Sequence, residues 1–234
     1  MIPAEIGETP QSRRSEAFWS YQDLLLFFGL LIATIVALPV LLFAFRRIPP
    51  AYLNLAAQSI IYVVTLGTIA AIFRLKYDRP LWPSLGWIRT PMWNAVVSFS
   101  MGPVVVIGLA YLAAVMGAKP HALPFERMMT NPLLVTLYGI LVVIIGPLCE
   151  ELVFRGFVMP LLIRSAGAVA GIVVTALLFG ASHSFEYADW RIILMVTAAG
   201  AAFGWRRYTT GSTIDAALMH AGFNLVPFIA LFSR

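Results

Sequence analysis

The chain reads as an all-α, polytopic transmembrane helical bundle of about seven spans, with six to eight as the bounds. Composition points there first: of 234 residues, 60% are hydrophobic and 12% charged, against roughly 45–50% and 25% in soluble domains. The mean hydropathy is +0.86. The long apolar stretches also carry almost no polar residues with which to cover a soluble core, so their side chains must face lipid.

The elements follow in order. Residues 1–22 form a polar tail with Pro3, Pro10, Arg13 and Arg14, whose composition predicts disorder or a surface position. The rest, 23–234, is expected to be one transmembrane domain. Its first apolar run, from Leu24 to Phe45, exceeds a typical signal-peptide core and suffices to cross about 30 Å of hydrocarbon, so it is expected to be a retained span. Further runs lie at 51–73, 94–117, 132–165, 168–183, 189–204 and 211–232. The linker 74–93, with Arg74, Lys76, Asp78, Pro80 and Pro83, is expected to be solvent-exposed, its Trp82, Trp87 and Trp93 suiting the membrane interface. Loop 118–131, with Lys119, Pro120, Pro124 and Arg127, has a similar character.

Run 132–165 would make a helix of about 50 Å, longer than one crossing requires. It contains Gly146-Pro147. Proline removes a backbone donor and collides with the preceding turn, which predicts a kink or break there. A reversal at that point would raise the span count to eight.

The net charge of +5 does not indicate nucleic acid, because Lys and Arg are scattered in ones and twos beside apolar runs. Their distribution, about ten on the N-terminal side against about six on the other, favours a cytoplasmic N terminus. Membrane lipids are the partners this implies. The lone Cys149 excludes an internal disulfide and a cysteine metal cluster, and beside Glu150 it reads as packing.

Ionisable residues inside the runs cost at least about 2.5–3.5 kcal/mol each on insertion scales, so something must offset them. Glu150, Glu151 and Arg155 fall within a short apolar stretch. Glu151 and Arg155, at i,i+4, share a face and can pair. Glu150 is turned about 100° away and has no cation on its own helix. His183 ends the next run, and His220 and Asn224, again at i,i+4, share a face in the last. Counting 1.5 Å per residue from turns near 165–167 and 205–211 places these groups within one or two helical turns of each other in depth. A buried ion cluster that locks helices, or a proton-carrying carboxylate of a transporter, would use the same residues. Ser182 and Ser184, beside His183, read as helix-end hydrogen-bonding groups. Glu186, Asp189 and Arg191 read as solvated.

In order, Glu150-Glu151-x-x-x-Arg155, Phe179-x-x-x-His183 and His220-x-x-x-Asn224 resemble the motifs of the CAAX-processing and bacteriocin-processing (Abi) intramembrane protease family, which includes the type II CAAX prenyl endopeptidase. The resemblance spans about 130–232 and includes the Gly-Ser-Thr-Ile-Asp lead-in to His220. It implies an endopeptidase acting near the C terminus of a membrane-anchored or lipidated protein or peptide precursor. Glu150, His183, His220 and Asn224 would be catalytic, with Glu151, Arg155 and Phe179 in support. Glu150 suits a general base, His183 a water holder, and His220 with Asn224 donors to an oxyanion.

The family is often described as metalloproteases, and Glu150, His183 and His220 would make a three-ligand zinc set. Direct activation of water by Glu150 needs the same residues, and asparagine is an uncommon zinc ligand, which tilts the reading toward a metal-independent mechanism. The competing class is a non-enzymatic membrane protein, a proton-coupled transporter or a bacteriocin-immunity partner.

Overall fold

The computed structural model describes residues 17–118, 125–187 and 189–233. Most of the expected polar tail, and Lys119, Pro120 and Pro124 of the loop before the fourth apolar run, lie outside the described residues. Among the described residues every regular element is helical. The long elements are α1 (Tyr21–Leu42) and α2 (Pro50–Ala71), which continues as a π-helical turn over Ile72–Lys76. After the short α3 (Leu81–Ser84) comes α4 (Met92–Val115). A rod then runs through α5 (Pro132–Ile140), α6 (Gly146–Glu151) and the start of α7 (Met159–Ser182). The last two helices are α8 (Trp190–Thr210) and α9 (Thr213–Ala230).

Five stretches are long and apolar enough to cross a membrane, the longest being Pro132–Ser182 with 51 residues. At 1.5 Å per residue that stretch would exceed twice the hydrocarbon thickness, so it must double back. It does so at Gly167, whose φ of 83° lies outside the helical region and is open to glycine without a Cβ penalty. The returning half packs tightly, since a Cβ on Gly171 would collide with Ile163. The protein is thus a polytopic integral membrane bundle. α8 is less apolar than the five, carrying Arg191, Arg206 and Arg207, the latter two buried.

Gly146-Pro147 does not reverse the chain. The preceding turn widens instead into a π-helix over Leu141–Ile145, and a second π segment covers Leu152–Val158. A wider turn relieves the clash that proline makes with the carbonyl four residues back.

The linker 74–93 is not wholly solvent-exposed. Leu85 is fully buried, where a Cβ on Gly156 would strike it. Thr213 Oγ1 donates to Leu85 O at 2.6 Å. The apolar side chain and the hydrogen bond together hold the linker under the bundle rather than in water.

At the same end, α1 is locked to its neighbours. Buried Asp23 accepts from Lys76 Nζ at 2.6 Å and Tyr77 Oη at 2.5 Å. Trp19, 1% exposed, donates its Nε1–H to Phe157 O at 2.9 Å and stacks on the Phe157 ring. α4 and α9 cross with their backbones in close approach. A Cβ on Gly102 would hit the Met219 carbonyl and Phe223 nitrogen, and one on Gly222 would hit the Phe99 carbonyl. Such small-residue crossings let backbones approach where lipid offers no hydrophobic drive to pack.

Candidate active site

A cavity of about 490 Å³ opens between α2, the α5–α6 rod, the end of α7 and α9. Glu150, His183, His220 and Asn224 all line it, as does Phe179. Three separate helical segments therefore deliver the polar residues to one place.

The two adjacent glutamates part company here. Glu151 is fully buried and its Oε1 accepts from Arg155 Nη1 at 2.8 Å. The same oxygen lies 2.9 Å from His220 Nδ1, the length of an N–H···O bond with the imidazole donating. Arg155 is also fully buried and donates through Nη2 to Gly200 O at 2.6 Å. Gly200 makes room for that guanidinium, because a Cβ there would crowd Phe179 and Arg155 Nη2. The rings of Phe154, Phe179 and Phe203 surround the guanidinium, with Phe179 closest at 4.6 Å.

Glu150 faces the cavity, with 26% of its side chain exposed. Its Oε2 lies 3.9 Å from His183 Nε2 and 3.9 Å from His220 Nε2. His183 turns its Nδ1 to Phe179 O at 2.8 Å, so a Nδ1–H donor there leaves Nε2 as an acceptor toward the cavity. Phe179 stands between the two imidazoles, 4.6 Å from His183 and 5.6 Å from His220 between ring centres. Phe203 stacks on the other face of the site, 4.6 Å from His220.

Asn224 Nδ2 donates to Val142 O at 2.9 Å. Val142 lies in the π segment, where i→i+5 pairing disturbs the usual i→i+4 ladder and opens carbonyls to other donors. An amide nitrogen carries two hydrogens, so this bond uses one of them.

The donors do not close a metal centre as they stand. Ligands at about 2.0–2.1 Å on a tetrahedral zinc would lie about 3.3 Å apart, whereas the Glu150–imidazole separations are 3.9 Å. Among the described residues no group of three His, Cys, Asp or Glu side chains is placed to hold a metal ion.

Three contributors were not visible as such in the sequence. Glu186 and Tyr187 line the cavity because the chain turns immediately after His183, with both backbone nitrogens donating to His183 O at 3.0 and 3.1 Å. Although the Glu186 side chain reaches solvent, crowding by the surrounding protein raises its carboxyl pKa and the nearby Glu150 charge raises it further, against the opposing pull of His183. Tyr62 enters from α2, and a Cβ on Gly146 would lie 3.0 Å from its hydroxyl and 3.7 Å from Glu150 Oε1. A glycine at 146 keeps that space open. Cys149 is buried and free but is not among the cavity-lining residues.

These features define an integral membrane helical bundle with a carboxylate–imidazole site sunk between its helices. Residues 132–226, which carry every carboxylate and imidazole lining the cavity, match the family model described as type II CAAX prenyl endopeptidase Rce1-like. This part of the chain is similar to that CAAX-processing protease family. No curated protein and no solved structure matches the chain.

Proposed function

We propose that the protein is an intramembrane endopeptidase that hydrolyses a peptide bond near the C terminus of a membrane-anchored or lipidated protein or peptide precursor, with Glu150 activating the water. The observation that carries this is the pair of 3.9 Å separations from Glu150 Oε2 to His183 Nε2 and His220 Nε2. They are too long for direct hydrogen bonds and of the span that one bridging water fills.

In this mechanism Glu150 takes a proton from water while the His183 Nε2 lone pair orients it. The hydroxide adds to the scissile carbonyl carbon. His220, fixed through its Nδ1 by Glu151, and the second N–H of Asn224 stabilise the oxyanion. Collapse breaks the C–N bond, and the proton held by Glu150 passes to the departing amine. Glu151 and Arg155 are positioning residues, since neither reaches the cavity. Each step uses only groups of this chain, and the spacing of the donors supports a metal-independent route. The excess of Lys and Arg on the side where α1 begins supports a cytoplasmic N terminus.

The test is Glu150→Gln. The variant is expected to melt like the parent in micelles and to lose about 10²–10⁴ of the cleavage rate, read on membrane proteomes with and without the protein. Retained cleavage sinks the assignment. Chelators are expected to leave the parent's rate unchanged; inactivation reversed by added zinc overturns the metal-independent route.

A further inference from the structure

The wall of the cavity opposite the family-matched residues belongs to α2. Asn54, Gln58 and Tyr62 all line it, and their i, i+4, i+8 spacing puts them on one helical face. Polar residues on one face of a membrane helix mark a path for something polar or a contact with a polar neighbour. The neighbours on this face do little to satisfy them. The hydrogen bond described for Asn54 runs from Nδ2 to Met128 Sδ at 3.7 Å, and a thioether is a weak acceptor. Gln58 and Tyr62 stand one turn apart on this face, close enough for their side chains to interact. An amide side chain offers two donors and an acceptor with two lone pairs, more than these contacts use.

The spacing of the row fits a peptide. Four residues of α-helix rise about 6 Å, and two residues of extended chain advance about 6.4–6.8 Å. An extended peptide presents N–H and C=O groups along one edge with that two-residue repeat, so successive rungs of α2 meet successive groups of the same edge. The row from Tyr62 to Asn54 covers about 12 Å, or about four extended residues. Its inner end is at the reaction centre, because the Tyr62 hydroxyl and the Glu150 carboxylate both face the space over Gly146. Its outer end is near the start of α2, where Tyr138 Oη donates to Ala51 O at 3.0 Å.

We infer that the Asn54–Gln58–Tyr62 face of α2 is the subsite that binds the backbone of an extended substrate peptide of about four residues, with the scissile bond at the Tyr62 end beside Glu150. This rests on the peptidase reading of Glu150. Backbone recognition by side-chain amides is indifferent to the peptide's side chains, so the row sets the length and direction of the bound segment and leaves sequence preference to the apolar walls.

The experiment uses the full chain carrying Glu150→Gln, in detergent micelles, and a fluorescein-labelled peptide ending in Cys-Ala-Ala-Met, with and without a farnesyl group on its cysteine. Fluorescence anisotropy reports binding. Gln58→Met, which keeps the side-chain volume, is expected to weaken binding about three- to tenfold, the value of one or two hydrogen bonds. Methylating the peptide's backbone nitrogens one at a time is expected to weaken binding at alternate residues, and one of those sensitivities disappears in Gln58→Met. If Gln58→Met does not fold, Asn54→Leu at the exposed end carries the same comparison. With Glu150 restored, either variant is expected to raise KM more than it lowers kcat. Unchanged affinity in the variants, N-methyl effects without alternation, or no binding of either peptide overturns the subsite. Alternating, Gln58-dependent binding without cleavage by the parent protein sinks the peptidase reading and leaves the subsite standing.

Discussion

Arg155 donates to acceptors on two different elements, Glu151 on its own helix and the Gly200 carbonyl on α8. Both charges are fully buried, and removing one partner of such a pair strands the other at a cost of about 3–5 kcal/mol. Arg155→Ala is therefore expected to lower Tm in micelles and to reduce cleavage, because Glu151 would no longer be held against His220 Nδ1. Adding Glu151→Gln to that variant removes the stranded charge and is expected to recover part of the Tm but not the rate. A fully stable Arg155→Ala protein would contradict the bracing role. At this scale much was legible in the chain. The i,i+4 spacing gave the Glu151–Arg155 pair, and counting residues from the turns put Glu150 and His183 at one depth. The contact between Glu151 and His220 was not legible, because it depends on the rotation of α9 relative to the rod, which no local pattern encodes.

Between elements, the α4–α9 crossing fixes where His220 and Asn224 stand. Gly222 lies between them on α9, and a methyl group there would drive into the Phe99 carbonyl. Gly222→Ala is expected to cost about 1–3 kcal/mol through this overpacking, seen as a lower Tm, and to reduce cleavage more than a surface change of equal cost. Gly67, which has nothing within 4 Å of a built Cβ, supplies the comparison: Gly67→Ala is expected to leave both unchanged. The helices themselves were readable from apolar length, including the single long run from Pro132. A kink or break was expected at Gly146-Pro147, and the regular α-helix is interrupted there by two flanking π segments without reversing the chain, because widening a turn accommodates proline without exposing backbone to lipid. The turn at Gly167 was visible as a glycine between two apolar runs.

Across the whole molecule, the family-matched residues do not stand alone. Trp19 lies far outside them, yet it donates to Phe157 O and packs against Phe73 as well. Trp19→Ala is expected to cost about 3–5 kcal/mol and to lower Tm while leaving the cavity residues untouched; an unchanged Tm would mean that α1 is an independent appendage. The burial of Leu85 in a Pro- and charge-rich linker was not foreseeable from composition, since one apolar residue among polar neighbours gives no period to read.

The π segment at Leu141–Ile145 has a consequence for chain length. A π turn is an α-helix carrying one residue more than it needs, so losing a single residue from that stretch would yield a smoother rod rather than a broken one. Because the wider turn absorbs the surplus residue locally, the loss would keep Glu150 on its face of the rod, and what it would close is the opened Val142 carbonyl that accepts from Asn224 Nδ2. In this stretch, regularity of the backbone and arrangement of the site are opposed, and a deletion that ordinary helices tolerate least would here leave a sound scaffold whose Asn224 has lost its anchor.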